Sequence, residues 1–534
     1  MKRRRWRFGT MIVLAAPLLV AGPSIAAATT ASPALSARAL AKVPAAPASA
    51  HRRHDDPLFP PSSASFPQRR RSSGPHLATS PWQALVNPTP NAGAMILLTD
   101  GDVMMQDYGT GEWWQLSPDS KGSYVDGTWT QLASMPSGYA PSYFASAVLP
   151  DGRVIVEGGE YNGSSDAVVD TNLGAIYNPI TNAWTSVNPP TGWAEIGDAA
   201  SVVLANGKFM LQDPTQYPVT SAPDALLNPT TLTWKGTGTG KADYQDEEGW
   251  SLLPNGKVLT VDIWNGQHSE LYTPSTGAWT SAGTTPVPLV ASSEIGPQLL
   301  RPNGTVFATG ATGHTAIYKP GTGVWAKGPT FPIIGGQHYT VADGPAAVLP
   351  DGHVLVGASP GQTTPEHFFD FNGTTLTEVA DPPNASSLST YYTYMLVLPT
   401  GQVLCRQGSV LEVYTAVGSP LSSWKPVITS VPTTLVAGST YTVSGTQLNG
   451  LTQASAYGDD YQSATNYPLV RITNTATGDV SYARTSGMSA MSVAAKAASH
   501  ASFTLSPGTE TGPSTLVVVA NGIASAPKNV TVNP

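Results

Sequence analysis

Residues 146–156 read SAVLPDGRVIV, and a phrase of this kind occurs seven times in the chain. The other copies are MILLTDGDVMM (95–105), SVVLANGKFML (201–211), SLLPNGKVLTV (251–261), LLRPNGTVFAT (299–309), AAVLPDGHVLV (346–356) and MLVLPTGQVLC (395–405). Each copy has two apolar runs joined by a two-residue turn that ends in glycine. Asn-Gly and Asp-Gly are favoured there because the tight hairpin turn needs positive φ at both central residues. The sequence therefore predicts seven antiparallel hairpins.

The turn glycines follow one another at intervals of 48 to 55 residues, which leaves room for more strands in each repeat. In the second half of five repeats, an aromatic or apolar residue is followed seven positions later by a large apolar one. These pairs are Tyr177/Trp184, Leu227/Trp234, Tyr272/Trp279, Tyr318/Trp325 and Phe369/Leu376. A period near 50 with four short strands is typical of kelch-type propeller blades. We predict a seven-bladed kelch-type β-propeller over residues 81–425.

The two ends of this segment complement each other. The seventh repeat lacks an outer strand, while the stretch around Trp82 resembles the outer-strand segment around Trp184. We expect Trp82 and its neighbours to supply the last blade's fourth strand. That would close the ring and remove an exposed sheet edge.

The N-terminus has a basic stretch, a short apolar run and the small residues Ala26–Ala28. This order predicts a secretory signal peptide over residues 1–28, with no membrane span after cleavage. Residues 29–80 are rich in Ala, Pro and Ser and are expected to be a disordered spacer. The expected location is secreted, periplasmic or at the cell surface.

Charge is distributed unevenly along the chain. Because 12 of the 27 Lys and Arg but only 2 of the 35 Asp and Glu precede Pro81, the rest holds 15 basic and 33 acidic residues, a net charge of −18. This argues against nucleic acid as a partner, since phosphates need a basic surface. The single cysteine, Cys405, lies in an apolar strand and is expected to be a buried core residue.

Residues 426–534 change character and contain about seven alternating strands separated by turns, which predicts an immunoglobulin-like sandwich. The segments PVITSVP and GSTYTVSGTQL look like the opening of early-set domains. The order of a secretion signal, seven blades and an early-set domain resembles galactose oxidase and its bacterial relatives. This resemblance implies that a loop of the sandwich reaches into the propeller channel.

The resemblance does not extend to the copper site of that family, which uses two tyrosines, two histidines and a cysteine cross-linked to a tyrosine. Tyr391 matches one family tyrosine, but Tyr392 stands where the adjacent histidine is expected. The sandwich stretch YGDDYQSATNYPL has no histidine, and Cys405 is in the wrong blade. We therefore do not expect copper-radical oxidation.

Carboxylates recur at one position of the repeat, eight to ten residues before the turn glycine, where the inner strand begins at the channel mouth. They are Asp198, Asp246, Glu247, Glu248, Glu294 and Asp343. Three interpretations stay open. The side chains could accept backbone hydrogen bonds between blades, bind calcium or magnesium through hard oxygen ligands, or act as paired carboxylates on a glycan. Asp198, Asp246, Glu247, Glu294 and Asp343 are the metal candidates, and all of these except Asp246 are the catalytic candidates.

Aromatic residues and one histidine complete the candidate ligand-binding set, namely Trp193, Trp264, Tyr143, Tyr391, Tyr392 and His338. The leading functional prediction is recognition of an extracellular or cell-surface glycan at the channel mouth by a monomer. One alternative is a glycoside hydrolase or lyase that uses the mouth carboxylates. Another is an adhesin or scaffold that binds protein through the propeller loops.

Overall fold

The computed structural model describes residues 80–163, 167–215, 222–458 and 461–534. Within this part of the chain, seven antiparallel sheets contain four propeller strands each, the sixth sheet has Ser455–Ala456 as an added fifth strand, and a C-terminal domain of strands comes after the propeller. The predicted all-β fold with a seven-bladed propeller is confirmed. The predicted signal peptide and spacer lie outside the described residues, apart from Ser80. No helix in the described ranges is long and apolar enough to cross a membrane.

The strands of each blade are named A to D from the channel outward. The A strands are Ala92–Leu97, Ala145–Val148, Ser201–Val203, Ser251–Leu252, Gln298–Leu300, Ala346–Val348 and Thr393–Val397. The B strands are Val103–Asp107, Val154–Glu157, Phe209–Gln212, Val258–Val261, Val306–Thr309, Val354–Ala358 and Val403–Gln407. The C strands are Trp113–Ser117, Gly174–Asn178, Asp224–Asn228, His268–Thr273, Thr315–Lys319, His367–Phe371 and Val410–Tyr414. The D strands are Thr128–Gln131, Ala183–Val187, Thr233–Thr237, Ala278–Thr284, Val324–Lys327, Leu376–Val379 and Trp82–Ala84.

Short elements connect the blades. Two small hairpins pair Pro141–Ser142 with Tyr161–Asn162, and Ile333–Ile334 with Gln337–His338. Three turns of 3-10 helix cover Ala385–Ser387, Thr390–Tyr392 and Ser422–Trp424.

The ring closes as the sequence predicts. Trp82–Ala84 forms the outer strand of blade seven and pairs antiparallel with Val410–Tyr414, with Trp82 opposite Tyr414. The Trp82 ring is buried against Phe368 and Tyr414, each at a centroid distance of 4.9 Å. The N-terminal strand is therefore part of the core of the last blade.

Four of the five pairs of the repeat are direct cross-strand partners: Tyr177/Trp184, Leu227/Trp234, Tyr272/Trp279 and Tyr318/Trp325. In the fifth pair, Leu376 lies opposite Phe371 rather than Phe369. The C–D turn of blade six, residues 372–375, has four residues like those of blades two to five, and Leu376 is the first residue of strand D. Gly373, with φ +106°, and the Asn372 side chain, which accepts backbone N–H bonds from Thr374 and Thr375, close this turn.

The C-terminal domain is a second all-β unit of the chain. Its strands are Val427–Ser430, Thr434–Val436, Thr440–Thr446, Leu469–Asn474, Val480–Ser486, Ala498–Thr504, Gly512–Ala520, Ile523–Ala524 and Lys528–Asn533. Val480–Ser486 connects two sheets, because its first half pairs with Leu469–Asn474 and its second half with Ala498–Thr504. Buried side chains from both sheets, such as Val443, Phe503, Leu516 and Val518, belong to one core with the neighbouring blades.

This domain packs on the propeller face that carries the A–B turns. The Arg484 guanidinium forms an ion pair with Asp100 at 2.7 Å, and the Thr485 N–H donates to the Thr99 carbonyl at 3.1 Å. Both propeller residues precede the turn glycine of blade one. The opposite ends of the A strands, where the carboxylates were predicted, are therefore on the far face of the propeller.

One segment of the domain, described over residues 449–458 and 461–467, enters the channel; we call it the channel segment. Its short strand Ser455–Ala456 pairs with the inner strand Ala346–Val348 of blade six. The Gln453 side chain accepts the Leu252 N–H at 2.7 Å, and the Ser463 hydroxyl donates to the Met395 carbonyl at 2.8 Å. The segment thus contacts the inner strands of several blades and occupies the channel, as the resemblance implied.

Candidate cation site at the channel mouth

Three carboxylates from neighbouring blades meet where the channel opens on the face away from the C-terminal domain. Glu247 precedes the inner strand of blade four, Glu294 that of blade five and Asp343 that of blade six. One carboxylate oxygen from each lies within 4.8 Å of the others. Glu294 and Asp343 are buried, and Glu247 is partly exposed. We call these three residues the carboxylate triplet.

The backbone around the triplet is unusual. Glu247 and Asp343 have φ values of 64° and 45°, and Ser292 and Ser293 before Glu294 have 60° and 71°. Non-glycine residues rarely adopt this region, which costs of order 1–3 kcal/mol each and tends to occur at functional sites. The Asp343 N–H donates to the Ile295 carbonyl at 3.2 Å, which ties the two loops together.

The channel segment lies against the triplet at Gly458. A Cβ atom on Gly458 would lie 2.7 Å from the Asp343 carboxylate, so this close approach requires glycine. The neighbouring Tyr457 hydroxyl donates to the Tyr391 carbonyl at 2.8 Å. Residues 459–460, both aspartates in the sequence, come next and lie outside the described residues.

Asp246, Asp198 and Asp170 form a second acidic group beside the triplet. Asp246 is 1% exposed, and neither of its carboxylate oxygens has a hydrogen-bond partner among the described residues. Burial, followed by the Asp198 and Asp170 carboxylates, raises the pKa of Asp246 well above its usual range. A Cβ on Gly197 would lie 2.8 Å from Asp170, which shows how closely Asp170 packs beside the residue before Asp198. The structure thus divides the predicted metal candidates between two groups.

The repeat pattern of the sequence did not predict Asp170 as a residue of the channel mouth. It lies in the loop before strand C of blade two, and no other repeat has a carboxylate at the matching place. The Ile196 N–H donates to its carbonyl at 3.1 Å, which fixes the loop against the channel mouth.

The three candidate tyrosines pack among other aromatic rings. Tyr143, with φ 52°, lies 6.1 Å from Tyr161 between ring centroids, and burial raises its pKa well above the usual range. The rings of Tyr391 and Tyr392 are 4.1 Å apart, and Tyr391 is buried. These side chains line the aromatic side of the mouth, on blades two and seven.

Trp264 is the candidate aromatic residue that the structure leaves most open, with 37% of its surface exposed. Its ring lies 6.0 Å from that of Tyr244. Burial, and then the carboxylates of Asp246 and Asp198, raises the pKa of Tyr244. Trp264 therefore borders the acidic mouth through Tyr244.

Trp193 and His338 have other surroundings. Trp193 is partly buried against the core, and its carbonyl accepts the Asn172 side-chain amide at 3.0 Å. His338 is exposed on the hairpin that begins at Ile333. The structure gives neither residue a contact with the triplet.

Glu248 follows Glu247 in the chain but belongs to an ion network inside blade four. Its carboxylate accepts the Lys241 ammonium at 2.9 Å and the Thr260 hydroxyl at 3.1 Å. The same buried ammonium lies 2.6 Å from Asp243, 2.7 Å from Glu270 and 3.4 Å from Asp262. We call these five charged residues the Lys241 network; it holds the chain next to Glu247.

The donor set at the mouth does not fit copper as the oxidase family binds it. The described donors are carboxylates and tyrosines, whereas copper in such sites takes imidazole nitrogens. None of the described histidines belongs to the triplet. Hard carboxylate oxygens at this spacing suit calcium or magnesium instead.

No protein-family model and no curated protein matches the chain. Among solved structures, a fungal alcohol oxidase of the AA5 family in complex with copper matches at 13% identity and a TM-score of 0.47, over 85% of this chain and 99% of that chain. The structure of YjhT matches at 16% identity and a TM-score of 0.36, over 56% of this chain and 100% of that chain. The extracellular domain of a hybrid two component system from B. thetaiotaomicron matches at 10% identity and a TM-score of 0.43, over 83% of this chain and 57% of that chain. Similarity at this level concerns the architecture alone.

Proposed function

We propose that this protein binds an extracellular glycan at the channel mouth through a calcium ion held by Glu247, Glu294 and Asp343. The observation that carries the proposal is the mutual distance of the three carboxylate oxygens, all within 4.8 Å. Calcium–oxygen distances are about 2.3–2.6 Å, so oxygens on opposite sides of one ion are at most about 5 Å apart. The extracytoplasmic location rests on the pattern of the N-terminus.

A glycan would complete the coordination of the ion. Calcium takes about six to eight oxygen ligands. Three carboxylates supply three to six of them, which leaves positions for neighbouring hydroxyls of a sugar. Trp264, exposed beside the acidic mouth, offers a ring face on which the apolar side of a sugar can pack.

Electrostatics supports a cation at this place. Six carboxylates from blades two to six share the mouth, and removing them from water without a counter-charge is unfavourable. The net charge of −18 from residue 81 onward also draws cations toward the surface. A bound calcium would lower the pKa values that burial and mutual repulsion raise at this mouth.

The test is calcium titration of the purified protein by isothermal titration calorimetry, followed by a glycan array with calcium or with chelator. We expect one calcium per chain. At a calcium concentration 100-fold above Kd, we expect the protein to be stabilised by about 2.7 kcal/mol. Glu294→Gln should weaken calcium binding by at least about tenfold, because it removes one charged ligand of a small set.

Asp119→Asn is the matched control, since Asp119 is a partly exposed carboxylate outside the triplet. It should leave calcium and glycan binding unchanged. Glycan binding that persists in chelator would show that the ion is not part of the site. The absence of any calcium-dependent heat would contradict the proposal outright.

A second candidate function, glycan hydrolysis, is favoured by the state of Asp246. A carboxyl group whose pKa is raised well above its usual range by burial keeps its proton to a higher pH and can act as a general acid. The ionised partner would come from the adjacent carboxylates, with the role of base or nucleophile. In this case, incubation with a bound glycan releases reducing ends, and Asp246→Asn lowers the rate at least about 100-fold. A glycan that binds and stays intact would exclude this second function.

A further inference from the structure

A chain of three side chains on blade four has the arrangement of a nucleophilic triad. The Ser281 hydroxyl lies 2.9 Å from Nε2 of His268, and Nδ1 of His268 lies 2.5 Å from Oδ2 of Asp262. A hydroxyl, an imidazole and a carboxylate bonded in this order are the diagnostic geometry of an activated nucleophile. The residues come from strands C and D and from the end of strand B.

Asp262 is held rigidly behind the imidazole. Its side chain is fully buried, with one oxygen 3.4 Å from the Lys241 ammonium and the other bonded to His268 and to Asn265. Burial raises the pKa of Asp262 to about 6, and the charge of Lys241 opposes this rise. The carboxylate fixes the tautomer that carries hydrogen on Nδ1 and leaves Nε2 free to accept the serine proton.

The nucleophile is accessible. Ser281 is exposed, and the His268 side chain retains 25% of its surface. Strand D has an irregular register at this point, since Ser269 lies opposite Gly283 and Glu270 opposite Ser281. Such bulges often re-aim side chains at functional sites. The Gly283 N–H, at 3.1 Å, holds the serine oxygen in place.

Blades five and six also have a histidine at or just before the start of strand C, but neither histidine contacts both a hydroxyl and a carboxylate among the described residues. In blade five, His314 contacts Thr330 at 3.2 Å and has no carboxylate partner among the described residues. In blade six, His367 contacts Asp381 at 2.6 Å and has no hydroxyl partner among them. In the described part of the propeller, only blade four combines all three groups.

We propose that Ser281, His268 and Asp262 form an esterase site for small acyl esters, separate from the carboxylate triplet. His268 Nε2 takes the hydroxyl proton as Ser281 attacks the acyl carbonyl, and the ester C–O bond breaks. The imidazolium then protonates the leaving alcohol. Water, deprotonated by the same imidazole, hydrolyses the acyl-serine and releases the carboxylic acid. Ser281 and His268 are the catalytic residues, and Asp262 is a positioning residue.

The test uses the full chain with a fluorophosphonate probe and with p-nitrophenyl acetate. Intact-mass and peptide spectrometry should find one phosphonyl adduct, located on Ser281. Ser281→Ala should abolish labelling, and His268→Gln should slow both reactions at least about 100-fold, the range of a lost general base. Asp262→Asn should shift the pH profile of the labelling rate, a readout that loss of packing alone would not move.

Two controls isolate the site. Thr280→Ala removes the neighbouring hydroxyl of the same strand, and His314→Ala removes the incomplete pair of blade five; both should react like the parent protein. Labelling at another residue, or equal rates in His268→Gln and the parent, would overturn the proposal.

Discussion

Lys241→Met is expected to lower the free energy of unfolding by about 3–5 kcal/mol at pH 8, the usual effect of removing one partner from a buried ion pair. The Lys241 ammonium is fully buried and lies within 3.4 Å of four carboxylates. Methionine keeps most of the stem volume, so the loss is electrostatic rather than a cavity effect. Without the ammonium, the carboxylates repel one another in a site that water does not reach.

The effect should depend on pH in a defined direction. Burial raises the pKa of Glu248 well above its usual range and that of Asp262 to about 6. Groups whose folded-state pKa is raised favour the folded state at low pH and oppose it as pH rises through that value. The carboxylates of the variant can take up protons at pH 5, so the difference from the parent protein should shrink between pH 8 and pH 5.

Urea denaturation at both pH values measures this difference, with Lys235→Met on the exposed outer strand of blade three as control. The control should change stability by no more than about 0.5 kcal/mol. A loss that is equal at pH 5 and pH 8 would contradict the electrostatic explanation.

The Lys241 network shows why the sequence predicts the fold further than the site. The blades follow from local signals: a glycine turn, an apolar alternation and a period near 50 residues. The five charged residues of the network come from the loop before strand A, from the residue after strand B and from strand C of one blade. No other repeat has them, so no period reveals them.

The channel mouth shows the same limit. Aligning the repeats on their glycines predicts Glu294 and Asp343 at one level, and the structure brings them together with Glu247. The alignment could not predict that the Glu248 side chain points away from Glu247, because the direction of that side chain depends on where Lys241 lies. Asp170 has no counterpart in the other repeats, and only tertiary packing places it beside Asp198. Ser281 aligns with Ser186 of blade two, two residues after the outer-strand tryptophan, so its contact with His268 could not be read from the repeat.

Trp82→Ala is expected to destabilise the propeller by about 3–5 kcal/mol, the range for truncating a buried tryptophan. The Trp82 ring is 6% exposed, contacts Phe368 and Tyr414, and donates from Nε1 to the Ala380 carbonyl at 2.5 Å. Removing it loosens the strand that joins the two ends of the ring. The change should therefore affect ring closure as well as local packing.

Trp234→Ala provides the comparison, because Trp234 has the same outer-strand role in blade three, where strands C and D are joined by a turn. Release of Trp82–Ala84 exposes the edge of Val410–Tyr414 to other chains. Trp82→Ala should therefore be cleaved near its N-terminal strand by limited proteolysis and aggregate on warming, while Trp234→Ala should do neither. Equal behaviour of the two variants would mean that the N-terminal strand is an ordinary outer strand and that closure of the ring depends on other contacts.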